Sequence, residues 1–312
     1  MRIAVFGAGG VGGYLGGRLA RAGHAVVFVA RGPHLDAIRR DGLRVESPAG
    51  DFVVRPAEAT DDPEAAGRVD AVLVCVKAWQ VREASRSMLP MLGSKSIVVP
   101  FQNGVEAAGQ LAEATGSDRV LPGLCRILSQ VAAPGMIRHA GVPPSVEFGE
   151  ADNRRTARAG GLLAAFRDAA GVTASIPEDI EAAVWEKFLF IAPFAGVGAL
   201  SGGPAGVVRD HPETRDLLRR AMEEVLDLAR ARRVHLGPGA VGRALALVDS
   251  LPVHATSSMQ RDLMAGRPSE LEYLTGAVVR LARESGVASP TNDRIYRALL
   301  PLEERARNGA PR

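Results

Sequence analysis

Cysteine is nearly missing: Cys75 and Cys125 are the only two in 312 residues, both in apolar contexts, with no CxxC pair and no histidine-rich spacing around them. That argues against a disulfide framework or a structural zinc site and fits a reduced, cytoplasmic protein that holds no metal. An excess of one charge is missing too. The net charge is +3 with the basic residues spread along the chain, so a sequence pI of about 9.2 points to neither a nucleic-acid nor a membrane partner. Internal repeats and low-complexity stretches are absent. What remains, 46% hydrophobic and 23% charged residues, is the composition of a folded chain long enough for two domains.

One stretch lacks charge altogether. After Glu186 and Lys187 come 21 uncharged residues, 188–208. Their number suits a membrane span of roughly 20 residues, but Pro193, Pro204 and five glycines interrupt the run and no interfacial arginine cluster flanks it. The expectation is a buried central helix of an all-α domain, with glycines that let neighbouring helices pack close. Lys187 then sits near the N-terminal end of that helix, where the dipole disfavours a cation. Either its stem carries the amine out to water or the amine has a chemical role.

Glycine, by contrast, is abundant and placed to a pattern. The opening MRIAVFGAGGVGGYLGGRLARAGHAVVFVAR reads as strand, glycine turn, helix and strand, with Gly7, Gly9 and Gly12 forming GxGxxG directly after the apolar run 2–6. In such a βαβ unit the first glycine makes the tight turn, the second lets backbone approach a pyrophosphate, and the third lets the helix pack against the strand. The loop from Gly7 through Ala8, Gly9, Gly10 and Val11 to Gly12 is therefore the candidate dinucleotide-binding segment, with the helix N-terminus supplying N–H groups. The next strand ends in Arg31 where NAD-binding chains usually carry an acidic residue for the ribose. A guanidinium there suits a 2′-phosphate and predicts NADP; the plainer alternative is a solvated arginine at a strand end.

Further strands are expected at 71–77, 96–104 and 119–131, with helical stretches between the first two pairs. The predicted architecture is α/β, a Rossmann-type doubly wound parallel sheet over residues 1–176, followed by an all-α domain over 177–312. Ligands of such sheets bind beyond the carboxyl ends of the strands, where Lys77, Gln80 and Asn103 emerge. Helices are expected at 212–234 and 269–287 from the spacing of their apolar residues, and a frayed tail over 304–312.

The segments GAGGVGG, VKAWQ, FQNGVE, WEKF, TSSMQRDL and SELEYLTG, in this order and across nearly the whole chain, resemble the ketopantoate reductase (2-dehydropantoate 2-reductase) family. The resemblance implies reduction of the 2-oxo group of ketopantoate by NADPH, giving pantoate for pantothenate and coenzyme A synthesis. It makes Lys187 the general acid and puts Asn103 between nicotinamide and substrate. Glu270 becomes a hydrogen-bonding group of the ternary site, Ser258 a ligand of the substrate carboxylate, Lys77 and Gln80 cofactor-binding positions, and Arg31 the 2′-phosphate ligand. Without the resemblance, Ser258 reads equally well as a helix N-cap, and Glu270 as a surface carboxylate. The implied partner is a small-molecule 2-oxo acid, bound by a monomer or homodimer.

One departure stands out. The family pattern carries asparagines four and eight residues after the lysine, and here those positions are Ile191 and Ala195. Lost hydrogen-bonding groups change specificity by orders of magnitude. A different 2-oxo acid or ketone on the same scaffold, or a non-catalytic NADP-binding redox sensor, are the alternatives that this leaves open.

Overall fold

The computed structural model describes residues 1–309. Two compact units form, one from residues 1–102 with 106–180, the other from residues 103–105 with the chain from 181 onward. The transition thus falls after Ile180 rather than after residue 176, and a short piece of an earlier loop belongs with the helical unit.

Among the described residues the first unit has ten strands: β1 (Arg2–Phe6), β2 (Ala25–Val29), β3 (Leu43–Glu46), β4 (Phe52–Val54), β5 (Glu58–Thr60), β6 (Val69–Val74), β7 (Leu92–Pro100), β8 (Gly123–Ala133), β9 (Met136–Phe148) and β10 (Thr173–Ser175). Its helices are α1 (Gly10–Arg21), α2 (Gly32–Asp41), α3 (Val81–Ser87), α4 (Ala107–Thr115) and α5 (Ala157–Asp168). Five strands make a parallel sheet in the order β5-β2-β1-β6-β7, with Ile3 opposite both Val26 and Ala71. Successive β1 side chains enter different cores: Ile3 and Val5 pack with Tyr14 and Leu15 of α1, while Ala4 and Phe6 pack with Val81 and Met88 of the α3 side. A strand covered on both faces has no polar side to show, hence the unbroken apolar run in the sequence.

The strand expected at 119–131 does form, but in a different sheet. β8 pairs antiparallel with β9, and β9 continues through β3 to β4 with β10 on its other side, in the order β10-β9-β3-β4. The expectation of one doubly wound sheet therefore holds for five strands and is corrected for β8. Pro134 and Gly135 turn the chain between Ala133 and Met136; Gly135 takes φ +73°, as the second central residue of a Pro-Gly turn requires.

The second unit is helical: α6 (Ile180–Ser201), α7 (Ala205–Asp210), α8 (Pro212–Ala231), α9 (Ala240–Ser250), α10 (Ser258–Met264), α11 (Thr275–Glu284) and α12 (Pro290–Gly309). The uncharged run is the central helix that its composition suggests. Helix α6 is long and apolar enough to pass for a membrane span, yet Phe188, Leu189, Ala192, Ala195 and Val197 are buried in a core built with α8, α11 and α12. Its glycines mark the tightest crossings: a Cβ on Gly196 would meet Thr275 Oγ1 and Ile295 Cγ2 at 3.0 Å, and one on Gly198 would lie 2.8 Å from Gln260 Oε1. Around it, α8 buries Leu218, Met222, Val225 and Ala229 along one stripe and keeps Asp216, Arg219 and Glu223 as ion pairs outside.

Two expectations need correction here. The helix expected over 269–287 is broken at Leu274 (φ −111°, ψ −91°) into a 3₁₀ turn, Leu271–Tyr273, and α11. The tail expected to fray from 304 stays helical to Gly309, because Arg307 pairs with Glu303 one turn earlier; residues 310–312 lie outside the described residues.

Candidate active site

The glycine loop owes its form to what three positions lack. Gly7 has φ +99°, and a Cβ there would lie 2.8 Å from Val76 N; one on Gly12 would lie only 2.1 Å from Gly7 O. Gly9 differs, since a Cβ on it would meet nothing within 4 Å. It stands at the N-cap of α1 without a side-chain cap, and no acidic residue occupies the first turn. The N–H groups of Gly10, Val11 and Gly12 come before the first intrahelical bond, from Gly13 N–H to Gly9 O, so they face outward as donors for an anion. Gly10 carries a second constraint: its Cβ would fall 2.6 Å from Ser129 O on β8, so the second sheet presses against the start of α1. These features fit a pyrophosphate-bearing dinucleotide.

A residue that no sequence motif singles out holds this loop in place. His34 Nδ1 accepts the Gly135 N–H at 3.0 Å, which leaves Nε2 as the protonated nitrogen, donating to Ala8 O at 2.9 Å. Gly7 and Ala8 both donate to Val29 O at 3.1 Å. The imidazole thus ties the loop to α2 and to the β8–β9 turn.

Other cofactor-binding candidates lie beyond the same edge of the parallel sheet. Arg31 follows β2 and pairs with Glu83 at 3.2 Å; both side chains are mostly exposed, so the pair contributes little and opposes no competing anion strongly. Lys77 follows β6 with its ammonium 5.7 Å from the Trp79 ring centroid. Gln80 uses Oε1 to accept the Lys77 N–H at 3.2 Å, a turn-holding bond. Gln102, after β7, donates to Val74 O and Val76 O, both at 2.9 Å, and fixes the strand end from which Asn103 leaves.

The remaining candidates, Asn103, Lys187, Ser258 and Glu270, all belong to the second unit. Asn103 Nδ2 donates to Glu270 Oε2 at 3.3 Å, so two residues far apart in the chain form a pair. Gly104 makes room for it, because with φ +96° its absent Cβ would come 2.8 Å from Tyr273 O. Glu270 is buried, not the surface carboxylate of the plainer reading. Lys187 is half-buried in the third turn of α6, beyond the first turn where the helix dipole acts, so the dipole penalty expected for it does not apply. Ser258 is the first residue of α10, and the capping duty belongs to its neighbour: Ser257 Oγ accepts the Gln260 N–H at 3.0 Å. The N-cap alternative for Ser258 is thereby removed.

Ile191 and Ala195 continue the Lys187 face of α6 without a polar atom; Ile191 is half-buried and Ala195 fully buried. The nearby amide of Gln260 supplies no donor in their place, because its Nε2 donates to Gly198 O and Gly203 O at 3.0 and 2.8 Å. Among the described residues no cluster of three or more His, Cys, Asp or Glu is placed to hold a metal ion.

Known proteins give this geometry a context. Residues 3–153 match the family model of ketopantoate reductase PanE/ApbA, and residues 179–303 match that of its C-terminal part. The chain is 34% identical over 292 residues to a 2-dehydropantoate 2-reductase of Halobacterium salinarum, covering 93% of this chain and 95% of the relative. It is 32% identical over 305 residues to the uncharacterized oxidoreductase YkpB of Bacillus subtilis, covering 97% and 99%. The crystal structure of a PanE/ApbA family ketopantoate reductase from Ralstonia eutropha superposes with a TM-score of 0.89 at 31% identity, covering 98% of this chain and all of the other. With both halves of the family model matched in order across nearly the whole chain, this chain belongs to the ketopantoate reductase family of oxidoreductases.

Proposed function

We propose that the protein reduces 2-dehydropantoate to pantoate with NADPH and that Lys187 is the general acid. The observation that carries this reading is the Asn103–Glu270 hydrogen bond, formed inside the same unit as Lys187 and Ser258 in a chain of this family. The loop from Gly7 to Gly12 would hold the pyrophosphate, and Arg31 the 2′-phosphate that distinguishes NADPH from NADH, with Lys77 and Gln80 beside them. When bound, NADPH supplies the hydride for the 2-oxo carbon. The Lys187 ammonium gives a proton to the carbonyl oxygen as negative charge develops there, completing the alcohol. Asn103, oriented by Glu270, would hydrogen-bond in the ternary complex, and the Ser258 hydroxyl would donate to the substrate carboxylate. We read the protein as cytoplasmic, where its two free cysteines stay reduced, and as a monomer or homodimer.

A second reading has its own observation. Ile191 and Ala195 leave the helical face after Lys187 apolar, and the Gln260 Nε2 donors go to backbone carbonyls, which favours a 2-oxo acid with a less polar substituent on the same scaffold. A steady-state assay separates the two. NADPH oxidation is followed with ketopantoate beside a panel of apolar 2-oxo acids, with NADH in parallel. A kcat/KM for ketopantoate at or above about 10⁴ M⁻¹s⁻¹ supports the first reading, and faster turnover of an apolar acid supports the second. Lys187→Ala is expected to lower kcat by about 10²–10⁴ while NADPH affinity is retained. Unchanged turnover in that variant removes Lys187 from the chemistry, and a wild-type protein that binds NADPH but reduces no acid is a sensor.

A further inference from the structure

Glu303, on α12, is a carboxylate with only 4% of its surface exposed. A buried carboxylate is tolerated when its oxygens are satisfied, and these are satisfied by one short segment. The Ser269 N–H donates to Oε1 and Oε2 at 3.1 and 3.0 Å, and the Ser269 hydroxyl donates to Oε2 at 2.6 Å. Arg307 completes the shell: Nε meets Oε1 at 2.6 Å and NH2 donates to Ser269 O at 3.1 Å. The same hydroxyl accepts the Leu271 N–H at 3.2 Å, so the bonds close over the residue between, which is Glu270. From the other side, Glu270 O accepts the N–H groups of Tyr273 and Leu274, each at 3.0 Å.

Ending a helix needs no such apparatus. Fully buried Ser269, locked through N–H, hydroxyl and carbonyl, removes the backbone freedom immediately before Glu270, whose side chain reaches Asn103. We propose that Glu303 is a positioning residue that holds Ser269 and thereby aims the Glu270 carboxylate at Asn103. The proposal rests on the reading of Glu270 and Asn103 as groups of the ternary site. A carboxylate is required at 303 because both of its oxygens face donors only. Glutamine of equal size would turn an NH₂ toward Ser269 or Arg307 whichever way the amide is flipped.

The test uses the full-length protein with NADPH and the best 2-oxo acid from the panel. Glu303→Gln is expected to lower kcat/KM about tenfold and leave NADPH affinity within about twofold, and the Glu270→Ala background separates this from general loosening of the unit, which would lower kcat/KM there as well. In a Glu270→Ala background the same change is expected to have no further effect on kcat/KM, although it lowers Tm in both backgrounds. If Glu303→Gln does not fold, Ser269→Ala removes the hydroxyl alone and is expected to cost about threefold, again only when Glu270 is present. A folded Glu303→Gln or Ser269→Ala with wild-type kcat/KM overturns the proposal, as does an equal loss in the Glu270→Ala background. Wild-type turnover in Glu270→Ala itself overturns the role of Glu270, and the proposal with it.

Discussion

The glycine loop of the first unit and the Glu270 segment of the second both hold a stretch of backbone still, by opposite means. The loop is shaped by missing atoms: Gly7 and Gly12 approach neighbours so closely that no Cβ fits. Around Glu270 the shape comes from added atoms, a carboxylate 34 residues away that gathers N–H and O–H donors from Ser269. A site made by omission tolerates no addition, and a site made by bonding tolerates no removal. Substitutions of one methyl group in the first unit and of single polar atoms in the second should therefore be the damaging ones.

The largest effect is expected at Gly12. In Gly12→Ala the new Cβ would lie 2.1 Å from backbone Gly7 O and 2.7 Å from Val5 Cγ1, and neither atom is the end of a flexible side chain. The destabilisation should reach or exceed the about 3 kcal/mol upper end of core overpacking, read as a large fall in Tm or loss of soluble protein. Gly9→Ala sharpens the contrast, since its Cβ meets nothing within 4 Å and its φ of −70° suits any residue. Tm should stay at the wild-type value while the NADPH Kd rises at least about tenfold, or ~1.4 kcal/mol. Unchanged affinity in Gly9→Ala would mean that no phosphate approaches that backbone.

His34 is the place where the first unit breaks its own rule and uses a bond. His34→Leu keeps the bulk but strands the Ala8 carbonyl and the Gly135 N–H, at about 1–3 kcal/mol for each group left without a partner. NADPH affinity is expected to fall several-fold. Glutamine, which offers a donor and an acceptor on one side chain, should restore part of it. Equal affinities for His34→Leu and His34→Gln would show that packing alone holds the loop.

The same contrast explains what the sequence made legible. A missing side chain leaves its mark on the sequence at that position, so Gly7, Gly9 and Gly12 could be read directly after β1. The buried run of α6 could be read as well, because 21 residues without charge state their own environment. Long-range bonds leave no local mark. Glu303 and Arg307 look like part of a charged helix end, and nothing near Ser269 announces a partner on α12. His34 sits in an ordinary amphipathic helix, while its two partners lie at positions 8 and 135. The second sheet escaped for a related reason: β3, β4 and β10 are three or four residues long, and β9 carries Gly141, Pro143 and Pro144, which read as loop.

The smallest expected effects concern pH, and the two units meet it from opposite ends. In the first, buried Glu150 accepts Arg158 Nε at 2.7 Å and NH2 at 2.5 Å, with Thr156 Oγ1 at 2.5 Å. These bonds, that of Arg158 foremost, hold its carboxyl below the ordinary value of 4.5. The folded state therefore prefers the ion, and the stability it confers is present above pH 4.5 and lost as pH falls through the folded value. In the second, burial and a 2.6 Å bond to Glu272 push the Tyr296 hydroxyl from 10.0 up to about 12. There the folded state prefers the neutral phenol, so the stability is present below pH 10 and drains away as pH rises toward about 12. Denaturation midpoints across the pH range should show Glu150→Gln losing the acid limb and Tyr296→Phe flattening the alkaline one. In an absorbance titration, Tyr296→Phe should remove a tyrosine transition at about pH 12. If the alkaline limb is the same in Tyr296→Phe, the Glu272–Tyr296 bond contributes nothing to holding the Leu271–Tyr273 turn against α12.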